Sequence, residues 1–187
     1  MLTRSGLYLG RRAVALCGAI VLLLMINESS LLSSALEPLS SLTARVTYST
    51  LNAFGMAAVR EGTVLRHASG FAYEIYHWCT GILPGTLLVA MVMTVPMAAS
   101  IRMAGAILGV ALVLAVNLVR LVSLFYIGVH YTPFFDLAHV YVWQALMLGF
   151  VAFFCFSLEK RTLCRVASAS KSLCGEARTP SSVAPSL

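Results

Sequence analysis

Long apolar runs separated by short polar interruptions dominate this chain, and their spacing predicts its elements. Arg4, Arg11 and Arg12 precede an apolar run from Ala13 to Ile26. That run is short of the roughly 20 residues a full span needs, although Leu7 to Leu9 can extend it. It reads as an uncleaved anchor, or as a signal peptide processed near Ser33-Ser34-Ala35. On either reading the following residues lie outside. Residues 27–60 are mixed, and Asn27-Glu28-Ser29 matches a glycosylation sequon. Residues 43–60 have the composition of an amphipathic helix at the interface, with Arg45 and Arg60 at its ends. They are also nearly long enough to span. From Glu61 to His77 the period changes. Val64 and Leu65 precede a turn at His67-Ala68-Ser69-Gly70, after which Phe71, Tyr73 and Ile75 alternate with Ala72, Glu74 and Tyr76. This predicts a short outer-face β-hairpin, serving either as an edge for an extended peptide or as a cap on the bundle.

Further along, the pattern predicts three spans. One runs from Ile82 to Ala99, with Pro84 tolerated near its first turn and Pro96 kinking or ending it. Ser100-Ile101-Arg102 follows as a tight basic turn. The next span, Ala104 to Ile127, carries Gly105-x-x-x-Gly109, a close-packing signal in membranes. Gly128 to Phe135 is an outer loop, Asp136 caps the next helix, and that helix runs from Leu137 to Leu158. The expected architecture is an all-α polytopic membrane protein, with about four to five transmembrane helices. Residues 1–160 form one membrane domain, and 161–187 a disordered basic tail.

Composition supports this class. The chain is 59% hydrophobic and 11% charged, where soluble domains carry about a quarter charged residues. The net charge of +6 does not mark a nucleic-acid binder, because the basic residues cluster as topology signals do. Arg4, Arg11, Arg12, Arg102, Lys160, Arg161, Arg165, Lys171 and Arg178 fall on one side; Arg45, Arg60 and Arg66 fall on the other. The positive-inside rule then places both termini in the cytoplasm. The cysteines at 17, 79, 155, 164 and 174 form no C-x-x-C pair and no metal-ligand spacing with the histidines, which argues against a disulfide framework.

Three polar groups remain within or beside apolar runs, where ionisable side chains are costly: Cys79, Arg120 and His139. The predicted topology puts all three at one membrane face. A thiol at a helix start lies where the helix dipole favours a thiolate. Arg120 can add to this and donate hydrogen bonds to a developing oxyanion. His139, in the first turn of its own helix, is placed as a neutral general base. Asn117 lies one turn before Arg120 on the same face. Nucleophile, base and oxyanion donor make an acyl-transfer set. Each residue alone has a bland reading: free cysteine packs as a small apolar side chain, and His67, His77, His130 and His139 suit an interface. Tyr126, Tyr131, Tyr141 and Trp143 read as an aromatic belt.

The stretches CTGI, NLVR and FFDLAHVYVWQ, in this order and spacing, resemble the exosortase/archaeosortase family, and most closely its short exosortase H group. The similarity covers residues 62–158. It implies a membrane cysteine transpeptidase of the bacterial inner membrane, with its active site on the periplasmic face. Such proteins recognise C-terminal tripartite tails of exported proteins (a short motif, a hydrophobic helix and a basic end) and pass the acyl group to a cell-envelope acceptor. Cys79 matches the family nucleophile, His139 the proton shuttle and Arg120 the charge-stabilising group, with Asn117 matching the family asparagine and Asp136 supporting. No cofactor or metal is implied. Two other readings use the same residues differently: a haem protein with His77 and His139 as axial ligands, and a non-catalytic scaffold that tolerates loss of all three groups.

Overall fold

In the computed structural model the described residues run from Ser30 to Val95 and from Met97 to Glu176, together with Val14 and Gly18. The rest of the first predicted span, the sequon, Pro96 and residues 177–187 lie outside them.

Helix α1 spans Ser30–Ala53. Over residues 36–53, Ser40, Ala44, Thr47 and Leu51 are buried, spaced as one helical stripe. Hydroxyls along α1 bond back to the preceding turn, as in Thr43 Oγ1 to the Leu39 carbonyl and Thr47 Oγ1 to the Thr43 carbonyl, both 2.8 Å. That satisfies them within the helix. Gly55, at φ 76°, ends the turn after α1. Asn52 Oδ1 then accepts from the Ala58 N–H at 3.2 Å and ties the next strand to the helix. Residues 43–53 are therefore the end of a longer helix. Residues 58–60, expected to finish that helix, are instead a strand.

Strands β1 (Ala58–Glu61), β2 (Val64–His67) and β3 (Ala72–Glu74) form an antiparallel sheet in that order. Val64 pairs with Glu74, Leu65 with Tyr73, and Arg66 with Ala72. The predicted hairpin is thus β2–β3, its turn held by His67 Nδ1 accepting from the Ser69 N–H at 3.1 Å. Strand β1 is the addition, joined through Gly62 at φ 64°. The period of two separates the faces: Ala58, Leu65, Tyr73 and Ile75 are buried, while Val59, Arg66, Ala72 and Glu74 face out.

Helix α2 (Ile82–Thr94) follows a 3₁₀ turn at His77–Thr80. Pro84 falls in its first turn as expected, but the helix ends at Thr94 rather than Ala99. Val95 is already extended, at ψ 130°, the conformation favoured before a proline. Thirteen residues reach only about 20 Å, so α2 alone does not cross a bilayer. Helix α3 (Ala99–His130) begins before and ends after the predicted span. Ser100-Ile101-Arg102 lies in its first turn instead of forming a separate turn, and Arg102 donates to the Met97 carbonyl at 3.0 Å. The expected outer loop contracts to Tyr131, because a 3₁₀ turn at Thr132–Phe134, with proline near its start, opens the last helical segment. A π-helical stretch at Leu137–Val142 leads into α4 (Trp143–Glu176). Asp136 is therefore already helical, at φ −64° and ψ −40°, and makes no side-chain capping bond. The predicted cap is displaced by the earlier start at Thr132. Helix α4 also continues past residue 161, through Glu176.

Among the described residues, two segments are long and apolar enough to cross a membrane: Ala99–His130 and Thr132–Arg161. Their outward faces carry Ile107, Leu108, Val119, Leu146, Phe153 and Phe156, all exposed, as lipid-facing helices require. The Gly105/Gly109 pair works as predicted. A Cβ on Gly109 would lie 2.5 Å from Leu88 Cδ2 and 2.8 Å from Phe154 Cε1; one on Gly105 would lie 3.1 Å from Leu158 Cδ2. Only hydrogen at these positions lets α2, α3 and α4 approach. The lower core gathers Leu88, Val92, Ala106, Val113, Met147 and Val151. The upper core joins α1, the sheet and α3 through Leu51, Leu65, Tyr73, Ile75, Cys79, Leu121 and Phe125.

Candidate active site

Cys79 sits in the upper core rather than in a helical first turn. It occupies the 3₁₀ turn His77–Thr80, closed by its own N–H bonding to the Tyr76 carbonyl at 2.8 Å and by Thr80 Oγ1 bonding to the His77 carbonyl at 2.5 Å. Gly81 then adopts φ 85° and turns the chain into α2. A Cβ at Gly81 would touch Asn117 at 3.4 Å. The left-handed conformation and this close approach together fit glycine after the Cys-Thr pair.

Asn117 and Arg120 lie on the buried stripe of α3 with Leu121, Leu124 and Phe125. Asn117, 2% exposed, donates from Nδ2 to the Cys79 carbonyl at 2.7 Å. It thereby orients the cysteine turn. Arg120 is 7% exposed, and its Nε has no hydrogen-bond partner. It neighbours Leu121 of the upper core on α3, and its charge acts on both Tyr73 and His139.

His139 comes from the π-helical stretch. Its Nε2 lies 3.9 Å from Cys79 Sγ, across 60 residues of sequence. Short π segments recur at functional sites because the extra residue per turn re-aims a side chain. Aromatic rings hold the imidazole: Phe135 at 5.5 Å and Tyr73 at 6.1 Å between centroids. Phe71 bridges Phe125 and Phe135 at 5.8 and 5.4 Å. It also fills the space over Gly128, where a Cβ would overlap its ring. The sheet is thereby pinned to the top of α3.

Of the residues that sequence reasoning named, Cys79 lies against His139 and Asn117, and Arg120 is buried on the same stripe of α3 as Asn117. Asp136 is exposed and contributes only a charge near His139. His77 packs against Trp78, at 4.7 Å, and lines a separate polar hollow with Glu37 and Glu74. Tyr73 was missed. Its hydroxyl is buried with no well-formed hydrogen bond, in the same core cluster as Cys79. Alternation along β3 placed Tyr73 on the inner face; nothing in the pattern said what its hydroxyl would meet. Burial first, and then the neighbouring thiol, push this phenol far above its ordinary range, while Arg120 acts in the opposite direction.

Fold and site together define a helical membrane protein in which a thiol and an imidazole meet and a buried arginine lies on the neighbouring helix. The chain belongs to the exosortase family: the family model Transmembrane exosortase (Exosortase_EpsH) matches residues 2–158. Proteins of this family are in general cysteine peptidases or transpeptidases. No curated protein and no solved structure matches the chain.

Proposed function

We propose that this protein is a membrane cysteine transpeptidase that cleaves C-terminal sorting tails of exported proteins and transfers the upstream acyl group to a cell-envelope acceptor. The observation that carries the reading is the 3.9 Å approach of Cys79 Sγ to His139 Nε2; Arg120, buried on α3, acts on His139 by its charge. In the first half-reaction, Sγ attacks the scissile carbonyl carbon as its proton passes to His139. The anion on the carbonyl oxygen is stabilised by Arg120. Collapse breaks the C–N bond, His139 protonates the leaving amine, and a thioester remains on Cys79. In the second, His139 takes a proton from the acceptor nucleophile, which attacks the thioester and frees the thiol. A gap of 3.9 Å suits a resting site that tightens when substrate binds.

Chain geometry supports placing the site at the membrane boundary opposite the basic residues. Arg102 and Arg120 are 18 residues apart on α3, about 27 Å at helical rise. His139 and Arg161 are 22 apart, about 33 Å. A hydrocarbon core is about 30 Å thick, so basic residues at one boundary put the site near the other. The positive-inside rule makes the site's side periplasmic, where an exported protein anchored by its tail presents its cleavage point.

Cys79→Ala is the direct test, made in cells that export a protein with such a tail. The unprocessed precursor accumulates and the variant still inserts. Continued processing by inserted Cys79→Ala protein sinks the reading.

A further inference from the structure

We propose that the Tyr73 hydroxyl is a second oxyanion donor, receiving with Arg120 the negative charge that forms when Cys79 attacks a carbonyl. The inference deepens the acyl-transfer reading above and rests on it. Four side-chain polar atoms among the described residues are buried without a hydrogen-bond partner: Tyr73 Oη, Asn117 Oδ1, Arg120 Nε and Arg102 Nε. The first three belong to residues about the cysteine turn: the Cys79 thiol and the Arg120 charge both act on Tyr73, and Asn117 holds the Cys79 carbonyl. A buried polar atom without a partner carries a free-energy cost, and three on residues about one cysteine turn call for an explanation, which a group that arrives later supplies.

The three atoms divide by chemistry. Asn117 Oδ1 is an acceptor and has no use for an anion. Arg120 Nε and Tyr73 Oη are donors. The phenol remains protonated at physiological pH, because burial and the adjacent thiol both oppose its ionisation. Its position is fixed twice. Tyr73 pairs with Leu65 in the sheet, and its ring packs edge-on against Phe135 at 5.6 Å and His139 at 6.1 Å. A donor held rigidly beside the nucleophile needs no reorganisation when charge develops. As Sγ bonds to carbon and its proton moves to His139, the carbonyl π pair becomes an oxygen lone pair. On this proposal the Tyr73 O–H and an Arg120 N–H donate to that oxygen. When the intermediate collapses, the pair returns to the C=O bond and the amine leaves with the proton from His139.

Acylation forms an oxyanion and alkylation does not, so the two reactions separate this role from simple support of the thiol. The test uses the full chain in detergent with Cys17, Cys155, Cys164 and Cys174 changed to Ser. The first-turnover release of nitrophenolate from p-nitrophenyl acetate measures acylation of Cys79. Iodoacetamide measures its alkylation. Tyr73→Phe keeps the ring and removes the hydroxyl; acylation is expected to fall about 100-fold while alkylation is unchanged. Equal losses in both reactions reduce Tyr73 to a residue that positions the thiol and overturn the proposal, as does no loss in either. Should Tyr73→Phe fail to fold, 3-fluorotyrosine at position 73 keeps the hydroxyl and changes its acidity. Acylation must then shift while alkylation stays constant, and an unshifted acylation rate overturns the proposal. Cys79→Ala distinguishes the two levels of failure. A nitrophenolate burst that persists in Cys79→Ala refutes the acyl-transfer reading itself, whereas a burst lost there and intact in Tyr73→Phe refutes only the role of Tyr73.

Discussion

Asn117 commits Nδ2 to the Cys79 carbonyl at 2.7 Å, inside a site that is otherwise short of hydrogen bonds. The bond is the main polar tie between α3 and the cysteine turn, so its loss is expected to be felt at both ends. Asn117→Leu keeps a comparable shape and strands the buried carbonyl. It should destabilise the protein by about 1–3 kcal/mol, read as a lower midpoint of thermal unfolding in detergent. Cys79 should also alkylate faster as the turn loosens. An unchanged midpoint and an unchanged alkylation rate would remove Asn117 as the clamp. At this scale much of the site was legible in the sequence. Cys79, Arg120 and His139 stood out because a polar group in an apolar run needs a reason, and Asn117 followed from its helical offset to Arg120. Tyr73 did not stand out, since an aromatic residue on the inner face of a strand has a sufficient reason in packing. Asp136 was misjudged as a cap because Thr132-Pro133 starts the helix a turn earlier than the hydrophobic pattern does.

Elements were legible where a period or a steric signal spoke, and not where backbone geometry departs from the regular menu. The Gly105/Gly109 pair is a steric signal. Gly109→Val should push Leu88 and Phe154 away from α3 and cost about 1–3 kcal/mol, the usual range for overpacking. Gly149, with nothing within 4 Å of an added Cβ, provides the control: Gly149→Ala should leave the unfolding midpoint where it is. Equal effects of the two substitutions would mean that helix propensity rather than helix–helix approach sets the result. The hairpin β2–β3 was visible in its period of two, whereas β1 was hidden because Ala58-Val59-Arg60 is as compatible with the end of a helix as with a strand. The π-helical stretch carrying His139 left no trace at all. Its residues, Leu137 to Val142, include neither glycine nor proline, and its reason lies in tertiary structure. One extra residue in the turn aims the imidazole at a sulfur 60 positions away.

For the whole molecule, the charge pattern and the two long helices constrain orientation together. Lipid-facing side chains cover the outer sides of α3 and α4, and Lys160 lies over the Phe156 ring at 4.6 Å, near the end of the apolar band. The sheet is at the opposite end of the same helices, pinned by Phe71 over Gly128. Cys79 is a poor reporter of sidedness because it is only 5% exposed. Ser69, in the exposed β2–β3 turn, and Ser100, exposed in the first turn of α3, are better placed, and neither belongs to the site. Single-cysteine variants Ser69→Cys and Ser100→Cys, built with all native cysteines replaced, would be treated with a membrane-impermeant maleimide in intact cells. Ser69→Cys should label at once; Ser100→Cys should label only after the inner membrane is permeabilised. The opposite result would turn the site toward the cytoplasm, where no exported tail presents its cleavage point. Labelling of both in intact cells would mean that α3 does not separate the two compartments. The distance of about 27 Å along α3 from Arg102 to Arg120 would then no longer measure a membrane.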